Sequence, residues 1–360
     1  MNADDAADNV ARGYRMKLSA KQLVDFCTNA YIAMGVPQAD ARLLADSLVQ
    51  AELWGHPSHG VMRTFWYGKR LQSGAMRART KSELVVDAGA IAVMDGNEGI
   101  GQVIATRAMQ EAIARAEAHG IGVVAVRNSG HFGTAMYYTR MAAQAGCIGF
   151  LTTNGSPSMA PWGGRTKLIG NNPWSIAAPA GKYAPMMLDI ANTVVARGKL
   201  HVARKKGESI PLGWAVDKEG RPTTDAAEGI AGNILPFAGH KGYAASIMMD
   251  VLSGILSGSH FADTIVGPYS PEGKSGVGHF VWVLDIAAFR PLAAFEADME
   301  TLVEKIKGSP PAVKGDEIYY PGELEARADA RSRSEGIALP DDVVSELNAQ
   351  ATALGVRSLS

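Results

Sequence analysis

Ile121-Gly122-Val123-Val124-Ala125-Val126, followed after one arginine by Asn128-Ser129-Gly130-His131-Phe132-Gly133, joins an apolar run of strand character to a polar, glycine-rich loop. Helices are predicted on either side, at about residues 102–119 and 135–145. This alternation predicts an α/β (α+β) fold, in which polar residues after a strand lie at a sheet edge where ligands bind. Glycines on both sides of His131 let a ligand approach the backbone, so His131 is a candidate site residue. An ordinary strand-to-helix loop is the alternative.

The remaining elements follow from periodicity and helix-end signals. Further strands are predicted at about residues 84–86, 91–94, 148–153, 174–178, 186–190 and 280–284. Further helices are predicted at about residues 20–34, 37–54, 241–256, 292–306, 324–335 and 341–353, with one more that ends at Gly74.

Long helices near both ends of the chain predict a discontinuous helical domain, formed by residues 1–80 together with residues 325–360. Residues 81–324 would then be an inserted sheet domain. Prolines and glycines between residues 205 and 240 predict an extended excursion over the surface.

Composition limits the classes of function. The 360 residues are 47% hydrophobic and 20% charged, so the chain can bury the core of an enzyme-sized protein. A net charge of −1 gives no electrostatic footprint for nucleic acid or an anionic membrane surface. No run approaches the ~18 apolar residues that span a bilayer, and residues 1–16 are read as a polar, loose leader without a signal core.

Cysteine usage indicates a reducing compartment. Cys27 and Cys147 are far apart and each lies in an apolar setting, so neither a disulfide framework nor a zinc site is predicted. A cytoplasmic location is therefore expected.

Gly55-His56-Pro57-Ser58-His59-Gly60-Val61-Met62-Arg63 is the most informative motif for chemistry. His59 stands at a predicted helix start and Arg63 one turn later, so the two would share a face. Imidazole exchanges a proton near neutral pH and guanidinium grips a carboxylate, which suits a 2-oxo or 2-hydroxy acid. The alternative is a polar turn in which the histidine caps a helix and the arginine faces solvent.

Two other interpretations are rejected. Gly99-Ile100-Gly101 lies between a strand and a helix, but the Rossmann fingerprint needs a small residue at the position that Ile104 occupies. His56 and His59 have metal-like spacing, yet no third ligand lies nearby and Pro57 opposes a helical pair, so no metal is expected.

Three further segments carry candidate binding residues. Asp189 ends an apolar strand, where it would either orient an imidazole or cap a helix. Lys241, after His240, opens a long helix whose N–H groups and ammonium would suit a phosphate. Pro321-Gly322-Glu323 opens another helix, with simple capping as the alternative.

These segments together resemble the malate/L-lactate dehydrogenase family of the sulfolactate dehydrogenase-like type, which is unrelated to Rossmann-type lactate and malate dehydrogenases. The resemblance extends from about residue 18 to residue 335. Its motifs are, in order, Ser58-His59-Gly60 with Arg63, Asp95-Gly96 with Gly99 and Gly101, Asn128-Ser129-Gly130-His131-Phe132-Gly133, Ala160-Pro161-Trp162-Gly163-Gly164 with Gly170-Asn171-Asn172-Pro173, Leu188-Asp189-Ile190-Ala191, Lys241-Gly242 and Pro321-Gly322-Glu323.

The resemblance implies a homodimer with a non-Rossmann mixed sheet flanked by helices, and reduction of 2-oxo acids such as those of malate, lactate or sulfolactate with NADH or NADPH. His59 would donate the proton, with Ser58 and Asp189 as its polar supports. Arg63 would clamp the substrate carboxylate, and His131 and Asn154 would also contact substrate. The dinucleotide would be held by His131, Phe132, Gly133, Asp189, Ile190, Ala191, Asn192, Thr193, His240, Lys241, Pro321, Gly322 and Glu323.

Two alternatives remain at this stage. One branch of the family reduces cyclic imines such as pyrroline or piperideine carboxylates, which would need the same Arg63 clamp. A non-catalytic small-acid binding protein is the other, although intact Ser58, His59 and Asp189 oppose it. Asn192-Thr193 and His240 depart from the family pattern, which leaves the choice between NAD and NADP open.

Overall fold

The computed structural model describes residues 16–359, and it is built around one large sheet and a separate helical layer. The strands are β1 (Met16–Leu18), β2 (Glu83–Ala88), β3 (Ile91–Asp95), β4 (Ile121–Ser129), β5 (Cys147–Thr153), β6 (Trp174–Ala180), β7 (Tyr183–Ile190), β8 (Ala215–Val216), β9 (Pro222–Thr223), β10 (Asn233–Ile234), β11 (Val277–Asp285) and β12 (Ile337–Leu339). The helices are α1 (Ala20–Ala33), α2 (Gln38–Leu53), α3 (Thr64–Gln72), α4 (Gly101–His119), α5 (Met136–Gln144), α6 (Arg197–Lys206), α7 (Ala226–Ala231), α8 (His240–Asp250), α9 (Leu292–Lys307), α10 (Glu323–Glu335) and α11 (Asp341–Ala353). The predicted strands and long helices are confirmed within a few residues at their ends.

The seven-stranded sheet has the order β2-β3-β4-β11-β5-β6-β7. Only β3 and β4 are parallel, while every other neighbouring pair is antiparallel. A Rossmann sheet is parallel throughout its dinucleotide-binding half, so the rejection of that fold is confirmed and the sheet is mixed as expected. Helices α4 and α5 cover one face with small and apolar side chains, among them Ala105, Ala108 and Ala142.

Gly101 serves packing at the start of α4. A Cβ on this residue would lie 2.4 Å from the backbone oxygen of Gly130 and 2.6 Å from that of His131. The helix therefore sits directly against the loop that follows β4, and only glycine allows that approach.

Residues near the two ends of the described chain form one hydrophobic core. Strand β1 pairs antiparallel with β12, Leu18 opposite Ile337. Ser19 caps α1 through a capping box with Gln22, which explains why the helix begins where the sequence predicts. The core then unites α1 and α2 with α11, whose Leu347 is fully buried in it. The loop of residues 55–63 follows α2 and rests on this layer.

Residues 205–240 contain more secondary structure than the extended surface excursion that the sequence predicts. Strands β8, β9 and β10 form a small antiparallel sheet in the order β10-β8-β9, accompanied by α6 and α7. Glycines and prolines shape its turns, but apolar residues between them give it a small core of its own. That core consists of Val195, Leu200, Ala203, Ile210, Ala215, Ala226 and Ile234.

Several expectations concern features outside the site. The leader predicted for residues 1–16 lies outside the described residues, except for the backbone of Met16 in β1. Cys27 and Cys147 are free and buried, in agreement with the absence of a predicted disulfide. Between residues 16 and 359, no helix has the length and apolar character to cross a membrane. The same residues contain no cluster of three or more potential metal ligands.

Candidate active site

The loop of residues 55–63 consists of two short 3-10 turns, Pro57–His59 and Val61–Arg63, and the predicted α-helical start at His59 is wrong. Gly60 separates the turns with extended backbone, ψ −155°. The Glu52 carboxylate accepts a hydrogen bond from the Val61 N–H at 2.9 Å and fills the space beside Gly60, where a Cβ would lie 1.9 Å from its oxygen. Helix α3 begins only at Thr64, so helical spacing does not explain how His59 and Arg63 come together.

His59 and His131 form a stacked pair at the centre of the site. Their ring centroids are 5.7 Å apart with 19° between the planes. The Ser58 hydroxyl lies 3.0 Å from His59 Nδ1, as expected for a polar support. Burial, and then the positive charge of Arg63, hold the pKa of both imidazoles well below the ordinary value of 6.5. Both rings are therefore neutral near pH 7.

The tautomer of His131 follows from its partners. The Gly133 N–H, which can only donate, lies 3.1 Å from His131 Nδ1, so this nitrogen carries a lone pair and the ring proton is on Nε2. The Tyr67 hydroxyl lies 2.7 Å from the same nitrogen. Sequence reasoning missed Tyr67, although it follows Arg63 by one helical turn on α3 and that spacing could have signalled it.

Arg63 is buried with part of its guanidinium unused. The residue is only 4% exposed, and its Nε donates to the Ser58 backbone oxygen at 2.7 Å. The guanidinium carbon lies 4.4 Å from the centre of the Trp66 ring. Its Nη1 is buried and has no hydrogen-bond partner. An unpaired buried donor is costly, so this atom points to a ligand with an acceptor such as a carboxylate.

Asp189 contacts the start of α5, and not His59 as the family resemblance implies. Its Oδ2 accepts from the Met136 N–H at 2.8 Å, so the carboxylate caps α5 rather than supporting His59. Burial raises the pKa of Asp189 to about 6, opposed by this bond and by the charge of His56. Among the described residues, no hydrogen bond joins Asp189 to His59. His56 in turn pairs with Glu325 at 3.4 Å.

Three other predicted residues form side-chain hydrogen bonds within the protein: Asn154 and Asn192 use both ends of their amides, and Thr193 uses its hydroxyl proton. Asn154 donates to Asp250 and to the His260 backbone, and it accepts from the Gly278 N–H. Asn192 donates to two backbone oxygens and accepts from the Trp174 indole, and Thr193 donates to the Val195 backbone. These groups stabilise the loops around the site.

Some of the predicted cofactor segments expose groups that a ligand could reach, and others are buried by neighbouring side chains. Helix α8 begins at Gly239–His240 without a side-chain cap, and Lys241 is exposed there. Gly133 has φ +88° and open space around it. Phe132, in contrast, is buried against His279 and Tyr138, which leaves only its backbone for a ligand.

The turn of residues 321–323 packs against β7. Pro321 accepts from the Met187 N–H at 3.0 Å, which brings this turn close to the strand that ends before residues 191–193. The Glu323 carboxylate is taken up by Lys307 and Arg327, so the side chain does not face a ligand.

The open helix start with its lysine fits a dinucleotide phosphate, and the open backbone at Gly133 allows close approach. A carboxylate-binding arginine beside two neutral imidazoles fits an acid substrate that exchanges a proton. Together these features define a dinucleotide-dependent oxidoreductase of small acids.

Known proteins agree with this class. The profile of the malate/L-lactate dehydrogenase family matches residues 18–348. The malate dehydrogenase of Pyrococcus horikoshii is 39% identical over 96% of this chain and 97% of that protein. The L-sulfolactate dehydrogenase of Methanocaldococcus jannaschii is 39% identical over 89% of this chain and 92% of that protein. The chain belongs to the malate/L-lactate dehydrogenase family and is an NAD(P)-dependent dehydrogenase.

Solved structures extend the comparison to the fold. The sulfolactate dehydrogenase structure from M. jannaschii has a TM-score of 0.89 at 36% identity, covering 95% of this chain and 98% of that chain. A delta1-piperideine-2-carboxylate reductase from Pseudomonas syringae has a TM-score of 0.84 at 26% identity, covering 94% and 100%. The sulfolactate dehydrogenase-like fold expected from the sequence is confirmed.

Proposed function

We propose that the protein interconverts a small 2-oxo acid and its 2-hydroxy acid, with Arg63 binding the carboxylate and His59 exchanging the proton. One observation carries this proposal, namely the buried Arg63 Nη1 without a partner, close enough to the stacked His59 and His131 for its charge to lower the pKa of both. When bound, the dinucleotide supplies or accepts the hydride.

Proton exchange depends on the charge of Arg63. A neutral His59 is ready to accept the proton of a hydroxy acid. To donate, it must first be protonated, which Arg63 opposes in the free protein. A substrate carboxylate on Arg63 offsets that repulsion, so binding of an oxo acid itself favours the protonated donor. Ser58 orients the ring through Nδ1, and His131 presents its Nε2 proton.

The dinucleotide is proposed to lie along the sheet domain, residues 81–324, between the loop after β4, residues 189–193, the start of α8 and the turn at residues 321–323. Residues 1–80 and 325–360 form the helical domain that carries the Ser-His-Gly loop. Two hydrophobic cores that largely follow these bounds support the division, with Ile100 and Val103 packed into the helical core and Trp54 into that of the sheet. Relatives that use NADP(+) and relatives that use NAD(+) both occur, so the preference is a matter for measurement.

Calorimetric titration with NADH and NADPH tests the phosphate site. Lys241→Ala is expected to weaken dinucleotide binding about tenfold, because a charge-assisted hydrogen bond to phosphate is lost. Lys21→Ala, at an exposed lysine of α1 that pairs with Asp25, is the matched control, with unchanged affinity. Unchanged affinity in Lys241→Ala would remove Lys241 from the cofactor site.

A homodimer in the cytoplasm is proposed as the working state. Met248, Ile255 and Leu256, on α8 and the π-helical turn that continues it, are each more than half exposed, and a second copy of the chain would cover them. Free, buried cysteines suit a reducing compartment. Sedimentation of the protein and of its Leu256→Asp variant tests the interface, and a monomeric wild type would exclude it.

Absorbance at the reduced-nicotinamide band tests the reaction. The protein is mixed with NADH or NADPH and a panel of small 2-oxo acids, with pyrroline and piperideine carboxylates as a second arm. Oxidation of the cofactor by an oxo acid supports the proposal, whereas turnover of the imines alone assigns the cyclic-imine alternative. Binding without turnover in either arm would indicate a non-catalytic binding protein.

A further inference from the structure

Residues 268–275 form a segment that α3 holds in place over the site. Arg70, on α3, donates from Nη1 to the Ser270 backbone oxygen at 2.5 Å, and from Nη2 to the Gly273 backbone oxygen at 2.8 Å and the Ser275 hydroxyl at 3.0 Å. Ser73 donates to the Pro271 backbone oxygen. Arg70 is 3% exposed, so its three bonds are at least partly shielded from water, and together with the exposed Ser73 bond they fix the position of the segment.

The anchored segment places Tyr269 against the proposed carboxylate clamp. The Arg63 guanidinium carbon lies 5.6 Å from the Tyr269 ring centre and 4.4 Å from that of Trp66, and the two rings are 4.7 Å apart. The Arg63 guanidinium therefore lies against two aromatic rings that also contact each other. Trp66 belongs to α3 itself, whereas Tyr269 reaches Arg63 only because its segment is held there.

Tyr269 also remains partly open to solvent. The residue is 52% exposed, although its ring lies over the guanidinium carbon of the buried Arg63. A small cavity is lined by Tyr67 and His131 and also by Pro268 and Ser275 of the same segment. The segment thus contributes to the surroundings of His131 through Pro268 and Ser275, and to those of Arg63 through Tyr269.

We propose that Tyr269 determines the size of the substrate side chain, and that Arg70 is the positioning residue that holds Tyr269 over Arg63. The proposal rests on the 2-oxo acid function given above, since it treats Arg63 as the carboxylate clamp. A carboxylate bound by Arg63 brings the rest of the substrate towards the Tyr269 ring. The ring then limits how large that remainder can be.

Replacement of the ring tests the specificity. The values of kcat/KM are measured for the best small 2-oxo acid of the panel and for phenylpyruvate, as a bulky probe. Tyr269→Ala is expected to raise the ratio of bulky to small by at least ~10-fold, the usual scale for changes in an apolar pocket. Tyr269→Phe keeps the ring and should keep the ratio within about twofold. An unchanged ratio in Tyr269→Ala overturns the proposal.

A double-variant comparison tests the role of Arg70. Lysine cannot span two carbonyls and a hydroxyl, so Arg70→Lys should shift the ratio in the same direction as Tyr269→Ala. In the double variant with Tyr269→Ala, Arg70→Lys should cause no further change in the ratio, because Arg70 affects specificity only by positioning the Tyr269 ring. Additive shifts would show that Arg70 acts elsewhere. Ser73→Ala, which removes an exposed anchor of the same segment, gives a second reading should Arg70→Lys unfold.

Controls separate the two hypotheses. Phe289→Ala removes another exposed ring and Arg42→Lys changes another arginine, and both should leave the ratio unchanged. If the wild type turns over no oxo acid, the proposed function itself has failed. If the wild type is active and the ratio is insensitive to Tyr269→Ala, only the inference about residues 268–275 has failed.

Discussion

The loop of residues 58–63 and the segment of residues 154–193 both carry polar side chains that the sequence motifs associate with the site. In the loop, Arg63 keeps a buried donor without a partner, and His59 is held neutral. In the segment, Asn154 and Asn192 use both ends of their amides within the protein. Motifs identify residues that lie near a site. Among these residues, a buried hydrogen-bonding group without a partner indicates a ligand-binding role, whereas a fully bonded side chain indicates a role in supporting the surrounding loops.

Removal of the His59 imidazole should have the largest effect on activity. His59→Ala is expected to lower kcat at least ~10²-fold while the protein stays folded, because a positioned proton donor and acceptor is lost. Steady-state kinetics in both directions check this, with His119→Ala at the exposed end of α4 as the control. Turnover near that of the wild type at pH 7 would exclude His59 from the reaction.

Arg63→Lys should mainly raise KM for the acid. An ammonium cannot reproduce the bidentate contact of a guanidinium, and the expected rise is about 10- to 100-fold. Kinetics with saturating dinucleotide measure it, alongside Arg42→Lys. A change in dinucleotide affinity with unaltered KM for the acid would refute the clamp.

The pH dependence of kcat/KM should differ between the two directions. Burial and the charge of Arg63 lower the pKa of His59 below 6.5, so its protonated form disappears as pH rises. Reduction should therefore slow by up to about tenfold per pH unit from pH ~6 upward, while oxidation stays level. With substrate bound, the kcat profile for reduction should break at a higher pH than the kcat/KM profile. A reduction rate that stays constant between about pH 6 and 8 would contradict this assignment.

Asn154→Ala should change activity least of these variants. It tests directly the difference between the loop of residues 58–63 and the segment of residues 154–193. Loss of its three hydrogen bonds leaves buried groups such as the Oδ1 of Asp250 without a partner, which should lower the free energy of unfolding by about 2–3 kcal/mol. KM for the acid should remain within about twofold of the wild type, because both ends of the amide are used within the protein. Denaturant unfolding and kinetics on the same sample give both numbers. A large rise in KM without loss of stability would return Asn154 to the substrate site.

Sequence reasoning predicted most elements because their signals are local. Ser19 caps α1 where its capping box indicates, and the apolar run at residues 121–126 becomes the centre of β4. The position of β11 between β4 and β5 depends on its pairing with strands more than a hundred residues away. The periodicity of apolar residues within a segment carries no information about such distant pairing. Likewise, the break at Gly60 arises from Glu52 beneath it, and the use of Asp189 as a cap for α5 arises from packing.

The pairing of β1 with β12 has a consequence for synthesis in the cell. The layer beneath the loop of residues 55–63 is completed by Ile337, Leu339 and Leu347, which are synthesised after every strand of the seven-stranded sheet. Translation proceeds from the N-terminus at about 5–20 residues per second, so the sheet can begin to form while this layer is still incomplete. Strand β1, helices α1 and α2 and the loop of residues 55–63 therefore emerge from the ribosome well before β12 and α11, and their shared hydrophobic layer is completed only after the seven-stranded sheet has been synthesised.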